Sequence, residues 1–131
     1  MSSSPGAERV TGVLTMFYYE DLSAAADWYV NKLGFERKLE FEGLVLLRIE
    51  GTSHLALVGA GYGSQRPIPG RDKGAILSIQ TDALEHWYER LSAMNVQGAS
   101  QGLRAGAGGR TVEFKVYDPE GYTIEFFSWV E

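Results

Sequence analysis

Few side chains in this chain are equipped for chemistry, and Glu125 stands in the least expected place. It lies in YDPEGYTIEFF, residues 117–127, between Ile124 and Phe126 and close to Trp129. Strand alternation puts Thr123, Glu125, Phe127 and Trp129 on one face and Tyr122, Ile124, Phe126 and Ser128 on the other. An unpaired carboxylate in so apolar a setting costs several kcal/mol. Glu125 therefore requires water, a hydrogen-bond donor, a cationic ligand group, or an arginine such as Arg48, Arg104 or Arg110.

The two histidines are His54 and His86. Imidazole titrates near neutrality and serves as acid, base or metal ligand. His86, in EHWYER, is rotated by about 100° from the core-facing Trp87 and is expected in solvent. His54 shares a strand face with Ala56. Facing a cavity, it reaches Glu125 as a hydrogen-bond partner, an acid–base group or a co-ligand for a metal; otherwise it is an ordinary strand-edge histidine. No nucleophile is matched to it.

Several function classes are set aside. There are no cysteines, so disulfides, thiolate nucleophiles and Cys-zinc sites are absent, in keeping with a cytoplasmic setting. The net charge is -5 without a basic cluster, so no nucleic-acid partner is expected. No apolar run approaches the roughly 18 residues of a membrane span, so no membrane partner is expected. The glycine run 102–109 (GLRAGAGG) carries neither GxxxxGK[ST] nor GxGxxG and reads as a flexible rim loop. No Ser-His-Asp pattern or GxSxG elbow occurs.

The elements that must position these residues repeat. Residues 1–9 (MSSSPGAER) are small and polar, a loose tail without the apolar stretch of a secretory signal. Residues 10–60 form a first module: strand 10–19, a helix capped by Asp21 and stopped by Gly34, then strands 35–41, 44–50 and 54–59. Residues 61–73 are a Gly/Pro-rich linker or lid. Residues 74–131 repeat the order: strand 74–80, a helix capped by Asp82 with Leu84, Trp87, Leu91 and Met94 on one face, a short strand at 96–100, and strands 110–116 and 122–130. Asp21, Trp28, Tyr29 and Leu33 parallel Asp82, Trp87, Tyr88 and Leu91. The expectation is an α+β fold of two βαβββ modules, whose curved sheets form an open cup with helices outside.

The repeat, with EDLSAAADWYVNKLGFE early and YDPEGYTIEFF late, resembles the vicinal oxygen chelate superfamily over nearly the whole chain. That group includes glyoxalase I, extradiol dioxygenases and the fosfomycin- and bleomycin-resistance proteins. In its metal-using members, four strand positions point ligands into the cup. The resemblance places them at Leu14, at Ala56, at Ile76 (Ala75 if the register slips) and at Glu125. Only Glu125 can donate, so the resemblance implies the fold without the metal centre.

The expected ligand-binding wall comprises Leu14, Met16 and Tyr18 on the first strand, His54, then Ser78 and Gln80 with Ile76 on the fifth, and Glu125, Phe127 and Trp129 on the last. A one-residue slip would exchange the first-strand set for Val13, Thr15 and Phe17. An aromatic, mostly apolar wall with a few polar handles suits a hydrophobic or aromatic small molecule, cationic ones included. The expectation is a metal-free binding protein, as bleomycin-resistance-like members are, with no cofactor. The alternatives are a glyoxalase- or dioxygenase-like enzyme with a divalent metal, and a metal-free isomerase using Glu125 as base. The resemblance also implies a homodimer.

Overall fold

The computed structural model describes residues 8–131, so most of the expected tail at 1–9 lies outside the described residues. Strand β1 (Val13–Tyr19) leads into helix α1 (Leu22–Trp28), then β2 (Glu36–Phe41), β3 (Leu44–Glu50) and β4 (Ser53–Gly59). The second module runs β5 (Ile76–Gln80), α2 (Leu84–Ala93), β6 (Arg104–Gly106), β7 (Thr111–Tyr117) and β8 (Thr123–Trp129). The sheets are β1-β4-β3-β2 and β5-β8-β7-β6, each with one parallel pair, and neither closes. The fold is α+β, with two βαβββ modules as the repeat implied.

Burial fixes the strand registers. On β1, Phe17 and Tyr19 enter the core, while Leu14 and Met16 keep 47% and 46% of their surface exposed on the outer face. Val13, of the alternative set, is also exposed, and Tyr18 is buried. On β5, Leu77 is buried, and Ile76, Ser78 and Gln80 face outward. The inner faces of both sheets and one face of each helix share a single core, including Leu47, Leu57, Tyr29, Leu91, Phe114 and Phe126. The opposite faces of the helices stay in solvent.

The first helix follows its sequence signals. Asp21 Oδ1 accepts the Ala24 N–H at 3.0 Å, capping the first turn. The helix widens into a π-helical turn at Tyr29–Leu33 and ends at Gly34, whose φ of 76° is the left-handed stop a glycine supplies. In the second module two expectations fail. Asp82 does not cap α2; the cap position is Ala83, whose N–H is taken by Thr81 Oγ1 at 3.0 Å. The short strand at 96–100 is absent; Gly98 and Gly102, at φ 97° and 88°, bracket a 3-10 turn at Ala99–Gln101. The edge strand forms within the glycine run instead, as β6.

The modules are locked through the turn between β7 and β8. Asp118 is 3% exposed, and its Oδ2 accepts the hydroxyls of Tyr19 and Tyr29, the latter at 2.7 Å. Its Oδ1 takes the N–H groups of Glu120 and Tyr122 at 3.0 and 2.9 Å. The Glu120 carboxylate reaches back to the N–H groups of Glu20 and Asp21, both at 2.8 Å. One four-residue turn of the second module thus satisfies the start of α1 in the first. The linker is strapped to the same turn: the Arg71 guanidinium lies 3.9 Å over the Tyr117 ring, and Lys73 lies 4.8 Å over Tyr122.

Candidate functional site

The outer face of the second sheet holds Glu125 in a polar chain. Register sets Ser78 beside Glu125 on one side and Lys115 on the other. Ser78 Oγ donates to Glu125 Oε1 at 2.6 Å, and the Lys115 ammonium lies 3.3 Å from Glu125 Oε2. The same ammonium donates to Glu113 Oε1 at 2.8 Å, and Thr111 Oγ1 donates to Glu113 Oε2 at 3.1 Å. The side chains of Glu113 and Glu125 are 17% and 14% exposed. The hydrogen bond from Lys115 holds the Glu113 carboxyl below its usual range, and Glu113 in turn raises the Lys115 ammonium.

This corrects the expectation of an arginine partner. Arg48 is engaged on the first sheet, 2.7 Å from Glu36. The partner of Glu125 is a lysine on the neighbouring strand. The signal was present in the sequence: alternation over 110–116 puts Lys115 and Glu113 on one face. A four-residue turn, Asp118–Gly121, then sets Lys115 directly opposite Glu125.

The expected wall residues divide between the two sheets. Phe127 and Trp129 meet edge to face at 5.4 Å, and Trp129 is 55% exposed. Trp129 also lines a cleft of about 810 Å³ beside the helices, with Phe35, Ile49, Trp87 and Arg90. Leu14 and Met16 lie on the outer face of the first sheet, opposite His54 and Ala56. With Leu39, Phe41, Leu44 and Leu46 they make an apolar sheet face, on which Phe41 is 56% exposed. Tyr18 is buried, and its hydroxyl accepts the Ser64 N–H of the linker at 3.3 Å.

His54 and Glu125 are not bonded to each other. His54 Nδ1 lies 3.0 Å from the Thr52 carbonyl, a contact that favours the Nδ1–H tautomer in the neutral ring and leaves Nε2 as an acceptor. His54 does share a cleft of about 400 Å³ with Ser78 and Gln80, where the free edge of β1 passes β5. His86 is exposed on α2, as expected.

An open-sheeted βαβββ repeat with this turn defines the glyoxalase class of fold. A family model described as the Glyoxalase/Bleomycin resistance protein/Dioxygenase superfamily matches residues 13–126, and the chain belongs to that family. No curated protein matches it. Solved structures of similar fold include a glyoxalase/bleomycin resistance protein/dioxygenase from Nocardioides, at 22% identity and TM-score 0.74, covering 95% of this chain and 86% of that one. Lactoylglutathione lyase from Agrobacterium tumefaciens is 21% identical with TM-score 0.66, covering 92% and 96%. TioX from Micromonospora sp. ML1 is 19% identical with TM-score 0.70, covering 92% and 100%. At these identities the likeness speaks for fold alone.

The residues present do not fit the divalent metal that the resemblance associates with this fold. Three of the four positions that the resemblance implies hold Leu14, Ala56 and Ile76, and no hydrocarbon side chain donates to a cation. Glu125, the fourth, already holds an ammonium and a hydroxyl. Among the described residues no three His, Asp or Glu side chains converge. No helix among them is long and apolar enough to cross a membrane.

Proposed function

We propose that this chain is a metal-free small-molecule-binding protein, a cytoplasmic homodimer that sequesters a hydrophobic or aromatic ligand, planar cations included, in the manner of drug-sequestering antibiotic-resistance proteins. The observation that carries the reading is the pairing of open apolar sheet faces with one satisfied carboxylate. Leu14 and Met16 on one face, and Trp129 beside the half-buried Phe127 on the other, offer uncovered apolar and aromatic surface. Glu125, held by Lys115 and Ser78, supplies an acceptor of fixed geometry. A second copy covers the remaining apolar surface of the first sheet. An isomerase reading is weaker, because a base whose two oxygens already hold donors has less free lone-pair capacity for a substrate proton.

The test is a fluorescence titration of the purified protein with acriflavine, a planar aromatic cation, and with neutral 1-naphthol. Saturable quenching that disappears in Trp129→Phe, with affinity lost in Phe127→Ala, is the expected result. Absence of binding by either probe, together with chelator-sensitive turnover of a glyoxalase-type thiol adduct, would overturn the proposal.

A further inference from the structure

The second sheet carries a carboxylate pair whose space is already filled. Glu113 and Glu125 stand on adjacent strands, both facing outward, and the Lys115 ammonium lies between them at 2.8 and 3.3 Å. Both side chains are largely covered, so leaving the two charges unlinked would be costly. Their other oxygens are held by Thr111 and Ser78, which fixes both carboxylates and leaves the ammonium as the shared cation. Gly106 adds a constraint: a Cβ there would collide with the Glu113 carboxylate, so β6 presents bare backbone where that group lies.

We infer that Lys115 is a specificity-determining residue that serves as the built-in cation of this site and keeps divalent metals off Glu113 and Glu125. The inference deepens the metal-free reading above and rests on it. Charge and space both support it. A divalent ion approaching Glu125 meets the ammonium of Lys115 a few ångströms away, and at such distances like-charge repulsion outweighs what the remaining carboxylate lone pairs offer. With the lysine neutralised, the two carboxylates, each anchored on its far oxygen by a hydroxyl, would be left without their shared cation. They are an all-oxygen donor set suited to Mn²⁺ or Mg²⁺.

The experiment is Mn²⁺ titration followed by electron paramagnetic resonance, on full-length wild type, Lys115→Met and Lys115→Arg. Lys115 is partly exposed, and methionine preserves its length and shape without charge. The expected result is no uptake by wild type or Lys115→Arg, and one Mn²⁺ per chain in Lys115→Met, at least about tenfold tighter than wild type. Adding Glu113→Gln to Lys115→Met should abolish that uptake. Stoichiometric Mn²⁺ uptake by wild type, or none by a folded Lys115→Met, overturns the inference. Should Lys115→Met fail to fold, Lys115→Gln takes its place. Carboxyl NMR of wild type reads independently, because Mn²⁺ broadening of the Glu113 and Glu125 signals is a contrary outcome. The aromatic-probe titration on the same samples separates the two proposals: loss of probe binding with Mn²⁺ exclusion intact defeats the ligand reading alone.

Discussion

Tyr122 satisfies both backbone groups of Tyr18 from the other module. Its hydroxyl accepts the Tyr18 N–H at 3.0 Å and donates to the Tyr18 carbonyl at 3.1 Å. These groups lie on the free edge of β1, which has β4 on one side and no strand hydrogen-bonded on the other. The Tyr122 ring also stacks on Phe17 at 4.0 Å. One side chain therefore replaces a strand neighbour at this point of the seam.

Tyr122→Phe keeps the stack and removes the bridge. Two backbone groups lose their partner, so the expected cost is about 1–3 kcal/mol in urea unfolding, with the fold retained. A midpoint equal to wild type would show that water replaces the hydroxyl.

Asp118 should give stability an unusual pH dependence. Burial raises its carboxyl above the ordinary value, against the lowering effect of the tyrosine and backbone donors. The native state therefore holds this proton more tightly than the unfolded state does. The contribution of the group to stability is largest below its unfolded value, declines as pH rises through the window up to the folded value, and is constant above it. Glu113, lowered by Lys115, acts in the opposite direction: its contribution is lost as pH falls through its folded value. The two separate in a variant. Urea unfolding of wild type and Asp118→Asn, between about pH 4 and pH 7, should show wild type losing stability relative to the variant as pH rises. A difference that is flat, or of opposite slope, would count against the burial argument. Asp118→Ala, which strands two hydroxyls and two N–H groups, should be the more damaging change throughout.

Much of this architecture was legible because it depends on local chemistry. Alternation on β8 and helical spacing in the first module both follow from side-chain type alone, so Glu125 and the Asp21 cap were readable. What could not be read were contacts made by residues distant in sequence. Asp118 sits in DPEG, a turn-forming sequence, and nothing in those four residues says that Tyr19 and Tyr29 close on it from the other module. The short strand at 96–100 was misplaced because VQGAS has strand-compatible residues, and the left-handed Gly98 that ends it is visible only in three dimensions. Lys115 lay between these cases: its face was readable, but its importance depended on taking register across the turn.

Gly121→Ala should loosen the linker. Gly121 has φ 94°, and a Cβ there would run into the Gly70 carbonyl, which is backbone and cannot rotate away. Left-handed strain adds about 1–3 kcal/mol to the clash. The expected outcome is a lower melting temperature with faster amide exchange and proteolysis confined to residues 66–73. Unchanged protection of that segment would show that the turn and linker are not coupled.

Gly106→Ala tests the polar chain from the other side. The backbone at Gly106, with φ of -135°, accepts alanine without strain, so the effect falls on the Glu113 carboxylate it would displace. Swung away from Lys115, Glu113 should titrate nearer an ordinary glutamate, and the acid-side loss of stability it causes should shrink. Carboxyl NMR reads the titration directly. An unshifted Glu113 would mean that β6 yields instead.

The apolar face of the first sheet is where a second copy of the chain would dock. Phe41 lies at the end of β2, an edge strand whose every residue is exposed, and its own exposure is 56%. A charge there should leave the folded chain nearly untouched, within about 0.5 kcal/mol, since surface substitutions away from buried groups rarely do more. The same charge would sit in the middle of the proposed contact with a second copy, where an unpaired carboxylate is strongly unfavourable. Sedimentation velocity of wild type and Phe41→Asp separates the two effects. Wild type should sediment as a dimer, and Phe41→Asp as a folded monomer with wild-type circular dichroism. If wild type sediments as a monomer at micromolar concentration, no second copy covers this face, and its apolar surface must be reserved for the ligand.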